Sequence, residues 1–577
     1  MAPYVPPQKR SGDDNGTGEE RARGAPQQQA PSQDARFSNS GDVRYAARGP
    51  VGRSDGWFGR QDGRRPDHFD TMSEVEVFGE RKEKTGGGID FDQYDKIPVE
   101  VTGEGNELFK PISTFPEFKL SAALQWNLDR CGYERPTPVQ KHAIPIVVGG
   151  RDLMACAQTG SGKTCAFMVP CIEALLRSGP PAEVKGRGRP PPMPCALVLA
   201  PTRELAAQIH EESLKFAYNT GIQSRLIYGG ADIREQLREL GKGTDILVAT
   251  PGRLSDFIGR ETVDMGLTQF LILDEADRML DMGFEPQVRE IVQYSGMGRS
   301  LEKGRKKQNM MFSATFGGTV QSMAGDFMVD YLFITVGRVG SCSETITQTL
   351  LYAEEGKGKT RALEKIYRDH APPVGQLTVI FVETKKRADE IEVDLWQAGL
   401  RVCAIHGDRD QRQREIALEA FKSGENPILV ATDVAARGLD ISNVGLVINY
   451  DMPKQMDDYV HRIGRTGRAG KRGVAIGFVN ERCRYCNELA ELLKGAKQEV
   501  PGWLHTLAAE NRSNYENSKG KGKATGKGGY GPSFGGQDVR QLAKAAEEKA
   551  KPVVPKEPER PKSPPRAIPD GWDDDSD

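Results

Sequence analysis

Two α/β domains in tandem, each a doubly wound parallel sheet and flanked by disordered tails, follow from three features of this 577-residue chain. The first is length: a single hydrophobic core stops growing below roughly 300 residues, so the chain must divide. The second is rhythm. Short apolar, β-branched runs alternate with amphipathic helical stretches, twice over. The third is the composition of the ends, where Gly, Arg, Gln, Ser and Pro displace the aliphatic residues a core requires.

The strands expected in the first block are ALVLA (196–200), DILVA (245–249), FLIL (270–273) and MMFSA (310–314). Those of the second are TVIFV (378–382), RVCAI (401–405), PILVA (427–431), GLVIN (445–449) and GVAIGFV (473–479). Apolar runs without alternation mean strands buried on both faces, as in parallel sheets covered by helices. The blocks meet at the polar joint Gly337-Arg338-Val339-Gly340-Ser341. We therefore expect a first domain over 91–336, a linker over 337–345 and a second domain over 346–508.

Residues 1–90 read as a disordered extension with Arg/Gly steps around Trp57 and Phe58, a composition that clings to RNA by charge and stacking or serves as a spacer. Residues 509–577 read as a Gly/Lys/Pro-rich tail ending in Asp573-Asp574-Asp575-Ser576-Asp577.

Composition excludes several classes. The 79 Lys+Arg against 81 Asp+Glu give a net charge of -2, which rules out a uniformly basic binder but allows a local basic groove. No stretch approaches the ~18 apolar residues of a membrane span, and MAPYVPPQKR lacks the apolar core of a secretory signal. Nine scattered cysteines fit reduced thiols in a cytosolic or nuclear protein. Cys483 and Cys486 have no second pair at zinc-ribbon spacing and read as structural thiols.

Ligands of parallel sheets bind beyond the carboxyl ends of the strands, and the chemistry-bearing motifs fall there. After the apolar-leaning LMACA comes Ala157-Gln158-Thr159-Gly160-Ser161-Gly162-Lys163-Thr164, then a helical stretch. Such a glycine-rich turn aims backbone N–H groups and a helix N-terminus at phosphate oxygens, with Lys163 for the β/γ-phosphates and Thr164 for Mg²⁺. The apolar strand Phe270–Leu273 runs into Asp274 and Glu275. Asp274 is placed for the Mg²⁺ opposite Thr164, and Glu275 for orienting or deprotonating the attacking water. Nucleotide hydrolysis is the expected activity.

The full string Asp274-Glu275-Ala276-Asp277 resembles that of the DEAD-box RNA helicases, and the resemblance extends over roughly residues 110–505. It implies two tandem RecA-like domains and accounts for Ala157, since that family's phosphate loop begins with Ala. Gly132-Tyr133 through Gln140 resembles the family's adenine-reading motif, with Tyr133 offering a stacking face and Gln140 two hydrogen bonds. Phe115 resembles its upstream aromatic, and a preference for ATP follows. By the same resemblance Ser313 and Thr315 couple ATP state to RNA through hydroxyl bonds to Asp277.

In His461-Arg462-Ile463-Gly464-Arg465-Thr466-Gly467-Arg468, Arg465 and Arg468 match arginine fingers, and His461 joins the coupling set. Asp440 matches a ribose contact. Arg203, Gly230, Thr250, Gly252 and Arg253 match one half of an RNA track, and Thr384, Gly407, Gln411, Arg414, Thr432, Arg437 and Gly438 the other. Contacts of this kind grip phosphates and 2′-hydroxyls without reading sequence.

Tyr4-Val5-Pro6-Pro7, the stretch Gly88–Gly103, KGRGRPPPMP (185–194) and Gly337–Gln348 further resemble the DEAD-box protein 3 subfamily, which acts in cytoplasmic translation initiation. Vasa-type germline helicases share the interdomain string and are the nearest alternative. Gln8-Lys9-Arg10 departs from the subfamily's usual His-Leu-Arg. The resemblance implies ATP and Mg²⁺, RNA as partner (mRNA first), initiation factors on the tails and a monomeric core, acting in the cytoplasm with nuclear passage open. A non-unwinding ATP-gated RNA clamp and a DNA translocase are the rival readings.

Overall fold

The computed structural model describes residues 73–509 except 81–90, 92–94, 96, 159, 181–189, 302–305, 316, 338–344, 355, 374, 434–440, 442 and 469–471. Residues 1–72 and 510–577, the joint residues 338–344, Thr159, Arg437, Gly438 and Asp440 therefore lie outside the described residues. The extension expected to be disordered over 1–90 is corrected at 73–80: Glu74–Phe78 is a helix opened by a Ser73 capping box, with Glu74 paired to Arg130 at 2.5 Å and Phe78 packed edge-on against Trp126.

The first sheet has eight strands: β1 (Val99–Thr102), β2 (Leu153–Cys156), β3 (Ala196–Leu199), β4 (Ser224–Ile227), β5 (Ile246–Ala249), β6 (Phe270–Leu273), β7 (Gln308–Ser313) and β8 (Leu332–Val336). Their spatial order is β1-β8-β2-β7-β6-β3-β5-β4. Every neighbouring pair is parallel except β1 with β8, which run antiparallel with Val99 opposite Val336. The second sheet has six: β9 (Ile346–Tyr352), β10 (Leu377–Val382), β11 (Val402–Ile405), β12 (Ile428–Thr432), β13 (Val444–Asn449) and β14 (Gly473–Val479). They are ordered β11-β12-β10-β13-β14-β9 and all parallel. Two tandem doubly wound parallel sheets are thus the architecture.

Burial on both faces explains the unbroken apolar runs. In β2, Leu153 and Ala155 face one core while Met154 and Cys156 face the other. Cys483 and Cys486 are both buried, and the Cys486 thiol donates to the Cys483 carbonyl at 3.1 Å.

Helix Pro138–Val148 is fastened at its far end by Gln308 at the start of β7, whose Nε2 donates to the carbonyls of Val147 (2.9 Å) and Arg151 (2.7 Å). This anchor matters because the other end of that helix carries Gln140. Gln308→Leu takes the side-chain donor from the Arg151 carbonyl, while the Val147 carbonyl keeps the Gly150 N–H at 3.0 Å, and we expect it to cost roughly 1–3 kcal/mol. Urea unfolding checks this; an unchanged midpoint would mean that water replaces the amide without penalty.

Candidate nucleotide and RNA site

β2 ends at Cys156, and the loop from Ala157 to Gly162 leads into helix Lys163–Ser178. Gly162 holds the N-cap position at φ 87°, a left-handed turn that only glycine adopts without strain. The helix N-terminus so exposed attracts anions. Lys163 is buried inside the loop and donates from Nζ to the Ala157 carbonyl at 3.0 Å, a carbonyl it can exchange for a phosphate oxygen. Thr164 occupies the first turn, half-buried beside it, and Gln158 and Ser161 belong to the loop itself.

The adenine-side motif grips this loop. Thr137 Oγ1 donates to the Ser161 carbonyl at 2.7 Å, and Gln140 Nε2 donates to the Gly162 carbonyl at 3.0 Å. Gln140 Oε1 accepts from the Thr137 N–H at 2.9 Å, closing a capping box at the start of helix Pro138–Val148. Gln140 is therefore buried and already bonded, and reading an adenine edge uses its second amide hydrogen and second lone pair. Beside it lies a cavity of about 410 Å³ lined by Phe78, Phe91, Tyr133, Thr137, Gln140 and Gly160, wide enough for a nucleobase. Phe115 does not line that cavity. It is buried edge-on behind Tyr133, ring centres 6.2 Å apart, and orients that ring.

β6 delivers the carboxylates. Asp274 and Glu275 are both buried, and Glu275 sits at φ 50°. A left-handed non-glycine residue stores roughly 1–3 kcal/mol, the kind of strain that collects at functional sites. Burial pushes the Asp274 carboxyl up to about 6; Lys163 draws it down, while Glu275 and Asp277 raise it further. This carboxylate-rich, buried setting, with a hydroxyl from Thr164, suits a hydrated Mg²⁺, which takes few protein oxygens and keeps several waters. Asp274 and Thr164 are the residues that would hold it.

Asp277 forms the hub of the coupling network. Thr315 donates to Asp277 Oδ2 from both its hydroxyl (2.7 Å) and its N–H (3.2 Å). The Ser313 hydroxyl does not reach Asp277; it donates to the Thr315 carbonyl at 2.6 Å and so fixes the turn that presents Thr315. From the second domain, His461 Nε2 comes within 3.3 Å of the same Asp277 oxygen. Burial alone would raise the Asp277 carboxyl, but His461, Arg278 and Thr315 together hold it well below the usual carboxylate range. Burial, followed by the Arg278 charge, pushes the imidazole of His461 down.

The arginine cluster divides by role. Arg462 is fully engaged within its own domain, in a two-pronged pair with Asp433 (2.5 and 2.7 Å) and a bond to Asn449 at 3.1 Å. Arg465 is buried nearby. Arg468 lies over the phosphate loop of the first domain: a Cβ added at Gly160 would stand 3.3 Å from Arg468 Cγ. We expect Arg468→Ala to cut RNA-stimulated hydrolysis by roughly 10³-fold or more, the scale of an arginine finger, while ATP binding without RNA is retained. If RNA binding alone were lost, Arg468 would belong to the RNA track.

The proposed RNA residues form groups on both domains. Arg203 opens helix Arg203–Ala217 and its guanidinium covers Gly230, where a Cβ would lie 2.6 Å from the nitrogens. Arg203 also donates to Gln411 Oε1 across the cleft at 3.2 Å, and Arg414 pairs with Glu204. Thr250 occupies the N-cap position of helix Pro251–Gly259 without a side-chain capping bond, and the first turn holds Gly252 and Arg253. Arg253 Nη2 donates to the Ala231 carbonyl at 3.2 Å, while its buried Nη1 has no hydrogen-bond partner. Thr384 caps helix Lys385–Gln397, Gly407 lies exposed beside Lys385, and Thr432 ends β12.

Three features were not singled out from the chain. Thr137 carries a readable signal, a Thr-x-x-Gln capping pattern before a helix opened by Pro138. Glu204 and Asp458, which bond across the cleft, carry none, because ordinary surface carboxylates look the same.

A glycine-rich loop on one sheet, covered by Arg468 from the second, is the layout of a two-domain nucleoside-triphosphate site. Residues 137–323 match the DEAD/DEAH box helicase family and 358–470 the helicase conserved C-terminal domain, together more than half of the chain. The chain is 34% identical to a DEAD box protein of Methanococcus jannaschii, covering 68% of this chain and 99% of that one, TM-score 0.39. It is 33% identical to the RNA helicase Prp28 of Chaetomium thermophilum bound to ADP, over 76% and 99% of the two chains, TM-score 0.37. It is 28% identical to Saccharomyces cerevisiae Dbp5 bound to RNA and ADP BeF3, over 70% and 99%, TM-score 0.56. The chain belongs to the DEAD-box helicase family.

Proposed function

We propose that this protein is an RNA-stimulated, Mg²⁺-dependent ATPase that separates short RNA duplexes locally and remodels RNA–protein complexes. The observation that carries this reading is the joining of the two halves at the hydrolytic site: His461 meets Asp277, and Arg468 covers the loop that holds Lys163. A triphosphate seated between them completes both sides at once. Mg²⁺ held by Asp274 and Thr164 would neutralise phosphate charge. Lys163 binds the phosphates, Tyr133 and Gln140 orient the base, and Glu275 takes the proton of the attacking water. Asp277 relays the domain position to Thr315, while Arg203 and Gln411 join the two RNA half-tracks. Closure bends one bound strand, and hydrolysis reopens the cleft.

Within the family we propose the DEAD-box protein 3 role, opening structured mRNA leaders during cytoplasmic translation initiation, with initiation factors bound by the tails. The strings beginning at Tyr4, Gly88 and Gly337 support it. The test is a short RNA duplex incubated with and without ATP, beside a DNA duplex control. Strand release requiring ATP and RNA supports the reading; RNA retained without strand release indicates a clamp, and stimulation by DNA a translocase. Crosslinking in cells, with reads concentrated in mRNA leaders, tests the narrower role.

A further inference from the structure

Helix Met456–Ile463 makes a contact with the first domain that neither the nucleotide site nor the RNA track requires. Arg278, the residue after Asp277, pairs with Asp458 of that helix and also donates to Asp281 Oδ2 at 3.1 Å. The Arg278 side chain is 3% exposed and that of Asp458 13%, so the pair is almost dry. Asp457, half-buried beside it, has its carboxyl pushed up to about 6 by burial and then by Asp277, while Arg278 draws it down. Asp277, Asp281 and Asp458 thus gather around one guanidinium, whose charge also reaches Asp457.

The pair exists only when the domains meet. With the cleft open, Arg278 loses Asp458 and keeps its own domain's neighbours Asp281 and Asp277. Removing two ions from water offsets most of their attraction, so such a pair adds little bulk stability. Its geometric demand is steep, however, because a dry charge without its partner is costly. His461 stands one helical turn beyond Asp458 on the same face. Fixing Asp458 therefore fixes where His461 meets Asp277 and where the following arginines lie.

We propose that Arg278 and Asp458 form an interdomain latch, a pair of positioning residues that seats the arginine-bearing segment against the hydrolytic site only in the shut cleft. The latch rests on the ATP-gated RNA binding proposed above.

The test uses the full chain and a fluorescent single-stranded RNA, titrated with and without AMP-PNP. Wild type should bind RNA more tightly with the analogue. Arg278→Ala and Asp458→Ala should each lose roughly tenfold or more of that tightening. Neither should change RNA affinity without nucleotide nor analogue affinity without RNA. The double variant should be no worse than the worse single, and Arg278→Lys should recover part of the loss. Tightening that survives in both single variants, losses that multiply in the double, or a fall in nucleotide-free RNA affinity would each overturn the latch. No tightening in wild type would instead sink the functional reading, and the latch with it.

Discussion

A Glu275→Gln protein is expected to bind ATP and RNA at close to wild-type affinity and to hydrolyse ATP roughly 10²–10⁴ times more slowly. The amide keeps the shape of the side chain and removes its charge together with its capacity to accept a proton. Glu275 follows directly on the buried tip of β6, in a strained left-handed conformation, and its N–H donates to Asp274 Oδ1 at 3.0 Å. Its charge is felt at Asp274, which it pushes up, and at His461, and no described phosphate-loop residue is bonded to it, so nucleotide affinity should survive. Single-turnover hydrolysis beside RNA binding in the presence of ATP separates the two effects. Turnover near the normal rate would remove Glu275 from its assigned role. Retained hydrolysis with lost RNA binding would place it in the coupling network instead.

Lys163→Ala should fail one step earlier. The ammonium is buried, held to the Ala157 carbonyl at 3.0 Å, and is the first opposing charge that draws the Asp274 carboxyl down. Its removal takes a charge-assisted bond from the phosphates and leaves Asp274 without that support. A lost charged hydrogen bond of about 1.5–3 kcal/mol corresponds to roughly ten- to a hundredfold weaker ATP binding. Equilibrium titration with a fluorescent ATP analogue measures this. An unchanged dissociation constant would contradict the phosphate-cradle geometry.

The central strands were legible because both of their faces are buried, which forces apolar residues at every position, as in β3, β5 and β6. Three of the unread strands depart from that pattern in different ways. β1 is a half-exposed edge that pairs antiparallel. β4 contains Arg225, a charge kept inside a strand by bonds to the carbonyls of Glu239 and Ser224, both 3.0 Å. β9 alternates buried and exposed residues at the edge of its sheet. β8 carried the signal in LFITV, as apolar as its neighbours.

At the site, the motifs revealed which residues matter, while their partners stayed hidden. Ser313 and Thr315 look equivalent as two hydroxyls, yet only the turn geometry decides that Thr315 alone reaches Asp277. Gln140 reads as a base-recognition residue, whereas its bonds to Thr137 and Gly162 make it a brace of the phosphate loop as well. Contacts across the cleft join residues 180 to 210 positions apart, such as Arg278 with Asp458 and Glu204 with Arg414. Charge pairing over such a separation has no local sequence pattern.

The central claim is that one triphosphate becomes reactive only when both domains enclose it. All eight strands of the first sheet lie within Val99–Val336, so a fragment ending at Val336 keeps its own core. Steady-state ATP turnover of that fragment, compared with the full chain at saturating RNA, tests the claim most directly. The account predicts a fragment that binds ATP yet turns it over at a low rate indifferent to RNA. A fragment matching the full RNA-stimulated rate would contradict it.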